Sequence, residues 1–388
     1  MIAKRISPKR NRVTFLMPSR SREGQVYFTH WDFRDNTKFC TCPGFFYRGD
    51  CRHVLEALAS LTRNELKELT NTEFDIEDWV PTSLEAINSL TSIPDREDVA
   101  RGLPLGLPIG FYGFHESLKT GVGTQLAVDS AIYQDKPSLI EDTEGATARF
   151  SVPFWARVLS KRYEKKVGVT ELIFKDGVMQ EKRVRLKGDY TIYTCRVSKV
   201  TKLLRQHGVD VMYKTSNPSD DKKQSKIILD LKHFSMDVED TAIGQFVEEN
   251  DVGMILYDSV SMPFKGPFIG SQQNQPSRAA ATDAWFTQIQ DLAELYDLAV
   301  IGTIHASGNP QKFRGTPGSM ERPNPLGGTA LLHNFKLVLY FQSIDSMKNR
   351  SVKKIWIERS PFRDSWDGSD MRTVKMTDAG VIDSSDDD

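Results

Sequence analysis

Short apolar runs alternate with helical stretches between residues 106 and 380, and this alternation predicts an α/β domain with a mostly parallel sheet. The predicted strands are 109–113, 138–141, 252–257, 298–304, 336–341 and 354–357. The predicted helices include 124–133 and 279–296. We find no internal repeat in the sequence.

The same patterns divide the chain into four regions. Residues 1–63 form a basic N-terminal region with an alternating stretch at 25–31 and a Cys/His cluster. Residues 64–105 are mixed and polar and end in a Gly/Pro-rich turn, so we expect a linker or interaction segment. Residues 106–380 form the α/β core, and residues 381–388 form an acidic tail.

Length and composition narrow the class of protein. A chain of 388 residues has room for two or three domains of roughly 150 residues. Hydrophobic residues at 39% and charged residues at 27% exclude global disorder. No run approaches the roughly 18 apolar residues of a membrane span, and the N-terminus lacks the apolar stretch of a secretory signal. Four cysteines are too few for a disulfide scaffold. We therefore expect a cytoplasmic protein without a membrane partner.

The net charge of −1 conceals a basic N-terminal region. Residues 1–63 carry 12 Lys and Arg against 5 Asp and Glu, a balance of +7, and residues 386–388 are all aspartates. A basic segment suits nucleic acid, and an acidic tail can compete for a basic groove. A solvated start and a frayed end are the alternative interpretations.

Three cysteines and a histidine lie close together in the N-terminal region. Cys40, Cys42, Cys51 and His53 have C-x-C-x8-C-x-H spacing. Thiolates and imidazole are the donors that tetrahedral Zn²⁺ prefers, and a closed four-ligand site is structural rather than catalytic. The alternative is a set of buried cysteines without a metal. The spacing favours zinc, which would supply much of the folding free energy of so small a region.

The cluster and its flanks resemble the SWIM zinc finger. The resemblance covers roughly residues 25–62, with Cys-Thr-Cys-Pro before the gap and Cys-Arg-His before an apolar helix start. The family is associated with nucleic-acid or protein binding, and the sequence leaves both open.

Residues 113–120 lie between a predicted strand and a helix, which is the setting of a phosphate-binding loop. In order they are Gly113, Phe114, His115, Glu116, Ser117, Leu118, Lys119 and Thr120. Lys119 would reach the β- and γ-phosphates of ATP, and Thr120 would hold Mg²⁺. Leu118 stands where glycine is usual, so a chance match is the alternative.

Two acidic residues follow predicted strands. Asp258 ends the apolar run 254–257, where a carboxylate can hold the Mg²⁺ shell. Glu144 follows the strand at 138–141 and can polarise an attacking water. Each acid alone could be a solvated strand end, but with the phosphate loop they favour an ATPase.

These segments resemble the RecA/RadA recombinase family over about residues 100–383. Residues 140–145 (IEDTEG) look like the family strand that carries the catalytic glutamate, which maps to Glu144. Residues 255–260 (ILYDSV) look like its Walker B strand, which maps to Asp258. The resemblance implies a RecA-like P-loop ATPase core with a twisted, mostly parallel central sheet.

Further segments extend the resemblance. Residues 288–301 match the helix and strand before the second DNA loop of the family, and 325–328 resemble the glycine pair after it. Leu118 is similar to the bulky residue of UvsX-type phage recombinases. His305 also looks UvsX-like, at the position of the γ-phosphate sensor, and these features hint at a phage source.

Three other residues follow from the resemblance. Residues 153–157 resemble the segment whose aromatic side chain stacks on adenine, so Trp155 is the candidate. Arg359 and Arg363 lie where RecA-type proteins place cations that reach a neighbouring subunit's γ-phosphate. A core tryptophan and surface arginines are the alternatives.

The distance from Glu144 to Asp258, 114 residues, exceeds the family's usual span. We therefore expect an insertion within about 165–235, with strand-like runs at 170–174, 183–186 and 189–195. The resemblance does not indicate its purpose.

Two Gly/Pro-rich segments, residues 262–282 and 306–328, follow predicted strands. Their cations and aromatic residues suit phosphate neutralisation and base stacking on single-stranded DNA. The candidates are Phe264, Lys265, Phe268, Lys312, Phe313, Arg314 and Arg322. Two ordinary surface loops are the alternative.

Together these features favour an ATP-dependent DNA recombinase that forms a homo-oligomeric filament on single-stranded DNA and pairs it with double-stranded DNA. Its cofactors would be ATP, Mg²⁺ and Zn²⁺, and single-strand-binding or mediator proteins are possible partners. We expect a location in the cytoplasm, beside the nucleoid or in the host cell if a phage encodes it. The alternatives are a paralog that acts as a mediator with little ATP turnover and a ring-forming DNA motor.

Overall fold

A computed structural model of the chain describes residues 3–7, 12–18, 26–32, 37–40, 42, 51–59, 79–93, 101–145, 147–197, 199–209, 211–215, 225–229, 237–264, 275–307, 323–326, 334–343, 351–362 and 370–384. The chain divides into two compact units, residues 1–75 and residues 76–388.

An antiparallel sheet forms the first unit. Its strands, in spatial order, are β1 (Ala3–Ser7), β2 (Arg12–Pro18), β3 (Val26–Asp32) and β4 (Thr37–Cys40). Phe15 and Met17 are both buried, because alternate residues of a strand face the same side. The helix α1 (Arg52–Ala59) buries Val54 and Ala57, which lie three residues apart on one helical face.

The second unit contains the remaining elements. Its first half consists of β5 (Trp79–Val80), α2 (Glu85–Thr91), β6 (Leu103–Pro104), β7 (Ile109–Gly113), α3 (Lys119–Gln134), β8 (Ser138–Asp142), a π-helical turn (Thr147–Ser151), α4 (Val152–Tyr163), β9 (Val167–Lys175), β10 (Val178–Leu186) and β11 (Tyr190–Arg196). Its second half consists of α5 (Val200–Gln206), β12 (Val211–Thr215), β13 (Ser225–Leu229), a 3₁₀ turn (Val238–Asp240), α6 (Ala242–Glu249), β14 (Met254–Asp258), α7 (Gln275–Leu295), β15 (Ala299–Ser307), β16 (Asn324–Pro325), β17 (Leu337–Ser343), β18 (Val352–Arg359), β19 (Arg372–Thr377) and β20 (Gly380–Ser384).

A large sheet runs through this unit in the order β10-β9-β11-β8-β14-β15-β7-β17-β18-β19-β20. In this spatial order, every neighbouring pair between β9 and β17 is parallel. The outer pairs are antiparallel: β10 with β9, β17 with β18, β18 with β19 and β19 with β20. Every residue of β7, β8 and β14 is buried, as parallel strands covered on both faces require. The predicted α/β class with a mostly parallel central sheet is confirmed.

Two apolar clusters cover the two faces of the sheet. On β14, Leu256 belongs to one cluster and Ile255 and Tyr257 belong to the other, because successive side chains of a strand point to opposite faces. The cluster with Leu256 includes residues of helices α3 and α4, such as Trp155. The cluster with Ile255 and Tyr257 includes residues of α5, α6 and α7, such as Trp285. Both faces of the central strands are therefore dry.

Part of the segment expected as a linker belongs to this core. Leu84, Ile87 and Leu90 are at most 1% exposed and lie in the same apolar cluster as α3 and α4. Their spacing of three residues places them on one helical face, α2, which is too short to give a strong periodic signal in the sequence.

The start of the expected acidic tail is also structured. Residues 381–384 belong to β20, where Val381 exchanges two hydrogen bonds with the side-chain amide of Gln125 on α3, at 2.9 and 3.0 Å. The carboxylate of Asp383 accepts hydrogen bonds from the backbone N–H groups of Glu85 and Ala86 at 2.8 and 2.7 Å. This last strand therefore holds both α2 and α3.

The core strands lie within three residues of their predicted bounds, and the three strand-like runs of the insertion are β9, β10 and β11. Helix α3 begins at Lys119, because the phosphate-binding loop leads directly into it. Helix α7 begins at Gln275, inside a segment expected as a loop, since Pro276 suits the first turn of a helix. Among the helices of the described residues, none combines the length and apolar character that a membrane span requires.

We expect Asp383→Ala to loosen α2 without unfolding the unit. The substitution removes the acceptor of two N–H groups in the first turn, a contribution of about 1 kcal/mol. Hydrogen exchange at residues 85–91 should therefore accelerate about fivefold. The control is Asp378→Ala, in the exposed turn between β19 and β20. Equal exchange in the two variants would contradict the capping role.

Candidate functional site

The Cys/His cluster comes together where β4 meets α1. Cys40 ends β4, and Cys51 and His53 lie at the start of α1. The ligand atoms of these three residues and of Cys42 all lie within 4.8 Å of one another, and Cys40 Sγ is 3.9 Å from His53 Nδ1. Zinc–sulfur bonds of about 2.3 Å give a tetrahedron with edges of about 3.8 Å. The spacing of the donor atoms therefore fits a zinc ion.

The surroundings of the cluster favour a metal over free thiols. The three cysteines are buried, and the Thr29 hydroxyl donates a hydrogen bond to Cys40 Sγ at 3.3 Å. Burial, together with the neighbouring Cys42 and Cys40 thiols, raises the pKa of the Cys51 thiol to about 12. A divalent cation reverses this effect, because a coordinating thiol is deprotonated by the metal.

The candidate phosphate-binding loop, residues 113–118, connects β7 to α3 at the centre of the large sheet. β7 lies between β15 and β17, and it ends at Gly113. A Cβ atom on Gly113 would lie 2.3 Å from the carbonyl oxygen of Phe341 on β17, so no other residue fits there. The loop can therefore pass close to the neighbouring strand before it turns into the helix.

Leu118 adopts the left-handed backbone conformation, with φ of 71°. Glycine is usual at this position because a side chain in this conformation costs about 1 kcal/mol. Here the leucine side chain packs beside Gly121 and near Trp155: a Cβ on Gly121 would meet Leu118 Cδ1 at 3.1 Å and Trp155 Cζ2 at 3.2 Å. This apolar contact offsets the cost and explains the bulky residue.

Lys119 lies beneath the loop and is 4% exposed. Its ammonium donates hydrogen bonds to the carbonyl oxygens of Gly113 and Phe114 at 2.9 and 2.7 Å and to Ser117 Oγ at 2.9 Å. Burial lowers the pKa of Lys119 to about 8, against the opposing effect of the nearby carboxylates Asp258 and Glu144. The positive charge is held at the position where phosphate oxygens would lie.

Asp258 ends β14 and is 1% exposed. Its carboxylate accepts hydrogen bonds from the hydroxyls of Thr120 at 2.9 Å, Thr147 at 2.6 Å and Thr303 at 2.6 Å. A carboxylate beside a threonine hydroxyl at the start of α3 is the donor set that Mg²⁺ shares with nucleotide phosphates. Neither Thr147 nor Thr303 carries a signal in the sequence.

Glu144 and His305 form a pair at the same edge of the sheet. His305 Nε2 lies 2.5 Å from Glu144 Oε1, and the His305 ring stacks on the ring of His115 with centroids 4.3 Å apart. Burial raises the pKa of Glu144, but the hydrogen bond and charge of His305 outweigh this effect, so the net shift is downward. His305 Nδ1 is buried and has no hydrogen-bond partner among the described residues.

Asp142 fixes the loop that carries Glu144. Its carboxylate accepts hydrogen bonds from the backbone N–H groups of Glu144 at 3.1 Å, Gly145 at 2.6 Å and Ala148 at 2.8 Å. Asp142 is not among the site residues predicted from the sequence. A carboxylate three residues before a turn glycine is the available signal, since aspartate often accepts N–H groups from the residues that follow it.

The structure corrects two candidates. Trp155 is 4% exposed and packs in the apolar cluster, so it lacks the open ring face that stacking on adenine requires. Phe264 is 2% exposed and packs on Trp285 at 5.6 Å between ring centroids, so it is a core residue and not a DNA contact. Sequence alone gave both an aromatic role because it does not distinguish buried from exposed rings.

Arg359 is half-buried at the end of β18. The other candidates lie outside the described residues: Lys265, Phe268, Lys312, Phe313, Arg314, Arg322 and Arg363.

Known proteins are similar to parts of this chain. A family model for the SWIM zinc finger matches residues 13–61. The chain is similar to the "DNA repair and recombination protein RadA" of Cenarchaeum symbiosum (strain A), with 28% identity over 112 residues, 29% of this chain and 26% of the relative. The chain thus matches about a quarter of that relative's length. Among solved structures it is similar to the "Crystal structure of the RadB recombinase", with a TM-score of 0.44, 16% identity and coverage of 79% of this chain and 100% of that chain.

Two of the predictions made from the sequence are thereby confirmed. The SWIM match confirms the zinc finger, and its range includes all four proposed ligands. The similarity to RadA confirms the resemblance to the RecA/RadA superfamily. The chain thus combines an N-terminal SWIM zinc finger with a RecA/RadA-like α/β domain.

We expect the purified chain to contain one zinc ion, measured by elemental analysis. A strong chelator should abolish hydrogen-exchange protection in residues 26–59, because the metal supplies much of the folding free energy of a small unit. Cys51→Ser should bind zinc at least tenfold more weakly. The matched control is Cys195→Ser, which removes a buried thiol outside the cluster. An unchanged zinc affinity in Cys51→Ser would contradict the ligand assignment.

Proposed function

We propose that this chain is an ATP-dependent DNA recombinase that forms filaments on single-stranded DNA and promotes homologous pairing and strand exchange. The observation that carries the proposal is the convergence of Lys119, Thr120, Asp258, Glu144 and His305 at one edge of the sheet. Parallel α/β sheets place their ligands at the carboxyl ends of the strands. The similarity to a DNA repair and recombination protein supports the choice of DNA as partner.

The residues present fit a nucleotide with its magnesium ion. The loop 113–118 and Lys119 would hold the phosphates, and Thr120 with Asp258 would hold Mg²⁺. The bound metal would neutralise the charge that develops on the phosphoryl oxygens. Asp258 keeps Thr120 oriented through a hydrogen bond of 2.9 Å, so the two Mg²⁺-binding groups are already adjacent.

Glu144 is suited to orient the attacking water. Its lowered pKa keeps the carboxylate ionised at neutral pH, as a hydrogen-bond acceptor for water must be. The bond of 2.5 Å to His305 Nε2 and a hydrogen bond with the Ser259 side chain hold the carboxylate in place. The N–H groups that bind Asp142 hold the loop itself in place.

His305 gives the site a direct connection to a candidate DNA-binding segment. It lies on β15 beside Gly113 of the phosphate-binding loop, and the chain leaves β15 into residues 306–328. A change in the Glu144–His305 bond on ATP binding or hydrolysis would therefore act on the start of that segment. This arrangement supports a cycle in which ATP favours the DNA-bound form and hydrolysis releases it.

Several partner contacts belong to the same proposal. Arg359 and Arg363 would reach a neighbouring subunit's nucleotide, and Lys265, Phe268, Lys312, Phe313, Arg314 and Arg322 would contact DNA. Double-stranded DNA, single-strand-binding proteins and mediator proteins are the further partners. Action on DNA implies a location beside the nucleoid in the cytoplasm.

A mediator that binds DNA or a recombinase with little ATP turnover is the second candidate function. Leu118 favours it, because its side chain occupies a loop position where glycine normally leaves the backbone free to approach phosphates. The two candidates differ in whether DNA stimulates hydrolysis.

We expect ATP hydrolysis by the zinc-loaded chain to rise with single-stranded DNA, and electron microscopy to show helical filaments. Lys119→Ala should abolish both. Glu144→Gln should retain ATP binding but lower turnover at least 100-fold, since a positioned general base contributes that much. The control is Glu249→Gln, an exposed carboxylate on α6. Folded protein with neither turnover nor filaments would instead support the mediator.

We also expect ATP affinity to fall as pH rises above about 8. The pKa of Lys119 is about 8 in the nucleotide-free site, so the ammonium loses its proton there, whereas an exposed lysine keeps it to about pH 10. ATP is fully ionised in this range, so the loss, up to tenfold per pH unit, reports on Lys119. The measurement is titration with a fluorescent ATP analogue from pH 7 to 9.5. Lys119→Arg, which stays charged, should show weak but pH-independent binding, and a flat wild-type profile would contradict the assignment.

A further inference from the structure

The segment from residue 161 to residue 205 has a strongly positive charge that the ATPase site does not use. It contains 13 Lys and Arg against 5 Asp and Glu, a balance of +8 in a chain whose net charge is −1. The segment comprises the end of α4, the hairpin of β9 and β10, β11 and most of α5. This concentration of positive charge lies in the insertion, to which the family resemblance assigns no purpose.

Three cations of β10 converge on one carboxylate. Glu171 on β9 contacts Lys182 Nζ at 2.9 Å, Arg183 Nε at 2.7 Å and Arg185 Nη2 at 2.7 Å. These contacts lower the pKa of Glu171 to about 2, against the opposing effect of its burial, so the carboxylate stays ionised. The Glu171 carboxylate therefore pairs with three cationic side chains, and the cluster has a net charge of +2.

Two bulges in β10 create this arrangement. The register with β9 shifts between Glu181 and Arg183 and again between Val184 and Leu186, so Lys182 and Arg185 are the extra residues. Neighbouring residues of a regular strand point to opposite faces, and a bulge re-aims the extra residue. Both extra residues are cations, and both reach the carboxylate that Arg183 contacts.

The cluster presents its cations outward. The side chains of Lys182 and Arg183 are 48% and 51% exposed, whereas that of Glu171 is 14% exposed. An anion in solution therefore meets ammonium and guanidinium groups, with the carboxylate below them. On the opposite face of the hairpin Leu172 and Met179 are buried in the core, which keeps the hairpin rigid.

Nucleic acid is the partner that this surface fits. Among the described residues of the segment, the exposed large apolar side chains are Val178 and Val184, which do not form the aromatic anchors of a protein interface. Guanidinium forks bind phosphate oxygens in pairs, and each phosphate contact releases counterions. β10 is the edge strand of the sheet, where bulges and separate charges alone would protect against aggregation, but that protection does not require a carboxylate that holds three cations together.

We propose that the hairpin of β9 and β10 is a second nucleic-acid contact, which binds the phosphate backbone through Lys182, Arg183 and Arg185. Its residues are separate in the sequence from the two Gly/Pro-rich segments, 262–282 and 306–328. The proposal shares only its DNA partner with the proposed function and does not require ATP turnover.

The test is the affinity of the full, zinc-loaded chain for a fluorescent single-stranded oligonucleotide, measured by anisotropy over a salt series without nucleotide. The triple variant Lys182→Gln/Arg183→Gln/Arg185→Gln should bind at least tenfold more weakly at 100 mM salt. Its plot of log affinity against log salt should be shallower by about 2, the value for three lost phosphate contacts. Equal affinity and slope in the folded triple variant would overturn the proposal.

The matched control, Lys136→Gln/Lys336→Gln/Lys375→Gln, makes the same change in net charge outside the segment and should retain wild-type affinity. An equal loss in this control would overturn the proposal, because net charge alone would then explain the effect.

Two measurements cover a triple variant that does not fold. Arg183→Gln leaves Lys182 and Arg185 on Glu171 and should lower the slope by about 0.7. In the unchanged protein, the oligonucleotide should protect Lys182 from amine labelling, as read by mass spectrometry. Labelling of Lys182 that DNA does not change would overturn the proposal.

Repeating the comparison in the Lys119→Ala background separates this inference from the proposed function. Hairpin-dependent DNA binding without DNA-stimulated hydrolysis in the wild type would support the hairpin contact and refute the recombinase. DNA-stimulated hydrolysis in the wild type, together with hairpin variants that bind DNA as tightly as the wild type, would support the recombinase and refute the hairpin contact.

Discussion

The buried carboxylate of Asp258 holds the candidate nucleotide site of the large unit together. A buried carboxylate is stable only when its oxygens accept hydrogen bonds. Its three hydroxyl donors come from different elements, Thr120 from α3, Thr147 from the π-helical turn and Thr303 from β15. The phosphate-binding helix, the turn that follows Glu144 and the strand that carries His305 therefore share one acceptor. Displacing any of them leaves a buried charge less well satisfied, so the site is rigid before ligands bind.

The opposite face of the same strands carries ionisable groups that avoid charge. Glu141 and Tyr257, each one residue before a site aspartate, point into the other apolar cluster with His207. Burial raises the pKa of Glu141 to about 8 and lowers that of His207 to about 4, so both are neutral at pH 7 and their 3.8 Å contact is not an ion pair. Gln206 donates to Glu141, and His207 Nε2 lies 3.1 Å from the Tyr257 hydroxyl. The alternation of each strand thus puts charge on the site and neutral polar contacts in the core.

Features of the fold and the site could be predicted where neighbouring residues in the sequence encode them. They could not be predicted where they depend on contacts between residues far apart in the chain. The core strands were predicted to within three residues, because burial on both faces makes them continuous apolar runs. Glu144 and Asp258 followed from their positions after those runs. The burial of Trp155 and Phe264 could not be predicted, since an aromatic residue has the same pattern in a core and on a surface. Thr147 and Thr303 carry no local signal, because only the fold brings their hydroxyls to Asp258.

The two candidate sites differ in the same respect. The zinc ligands could be predicted from spacing alone, because the metal itself brings the donors of a short segment together and supplies folding free energy that few buried side chains can provide. At the candidate nucleotide site, two apolar clusters position β7, β8, β14 and β15, and the hydrogen bonds to Asp258 and Asp142 then fix their ends. Its sequence signal is therefore limited to the residues that would touch ATP, while the groups that hold those residues are dispersed along the chain. A motif can identify such a site, but its rigidity is a property of the fold.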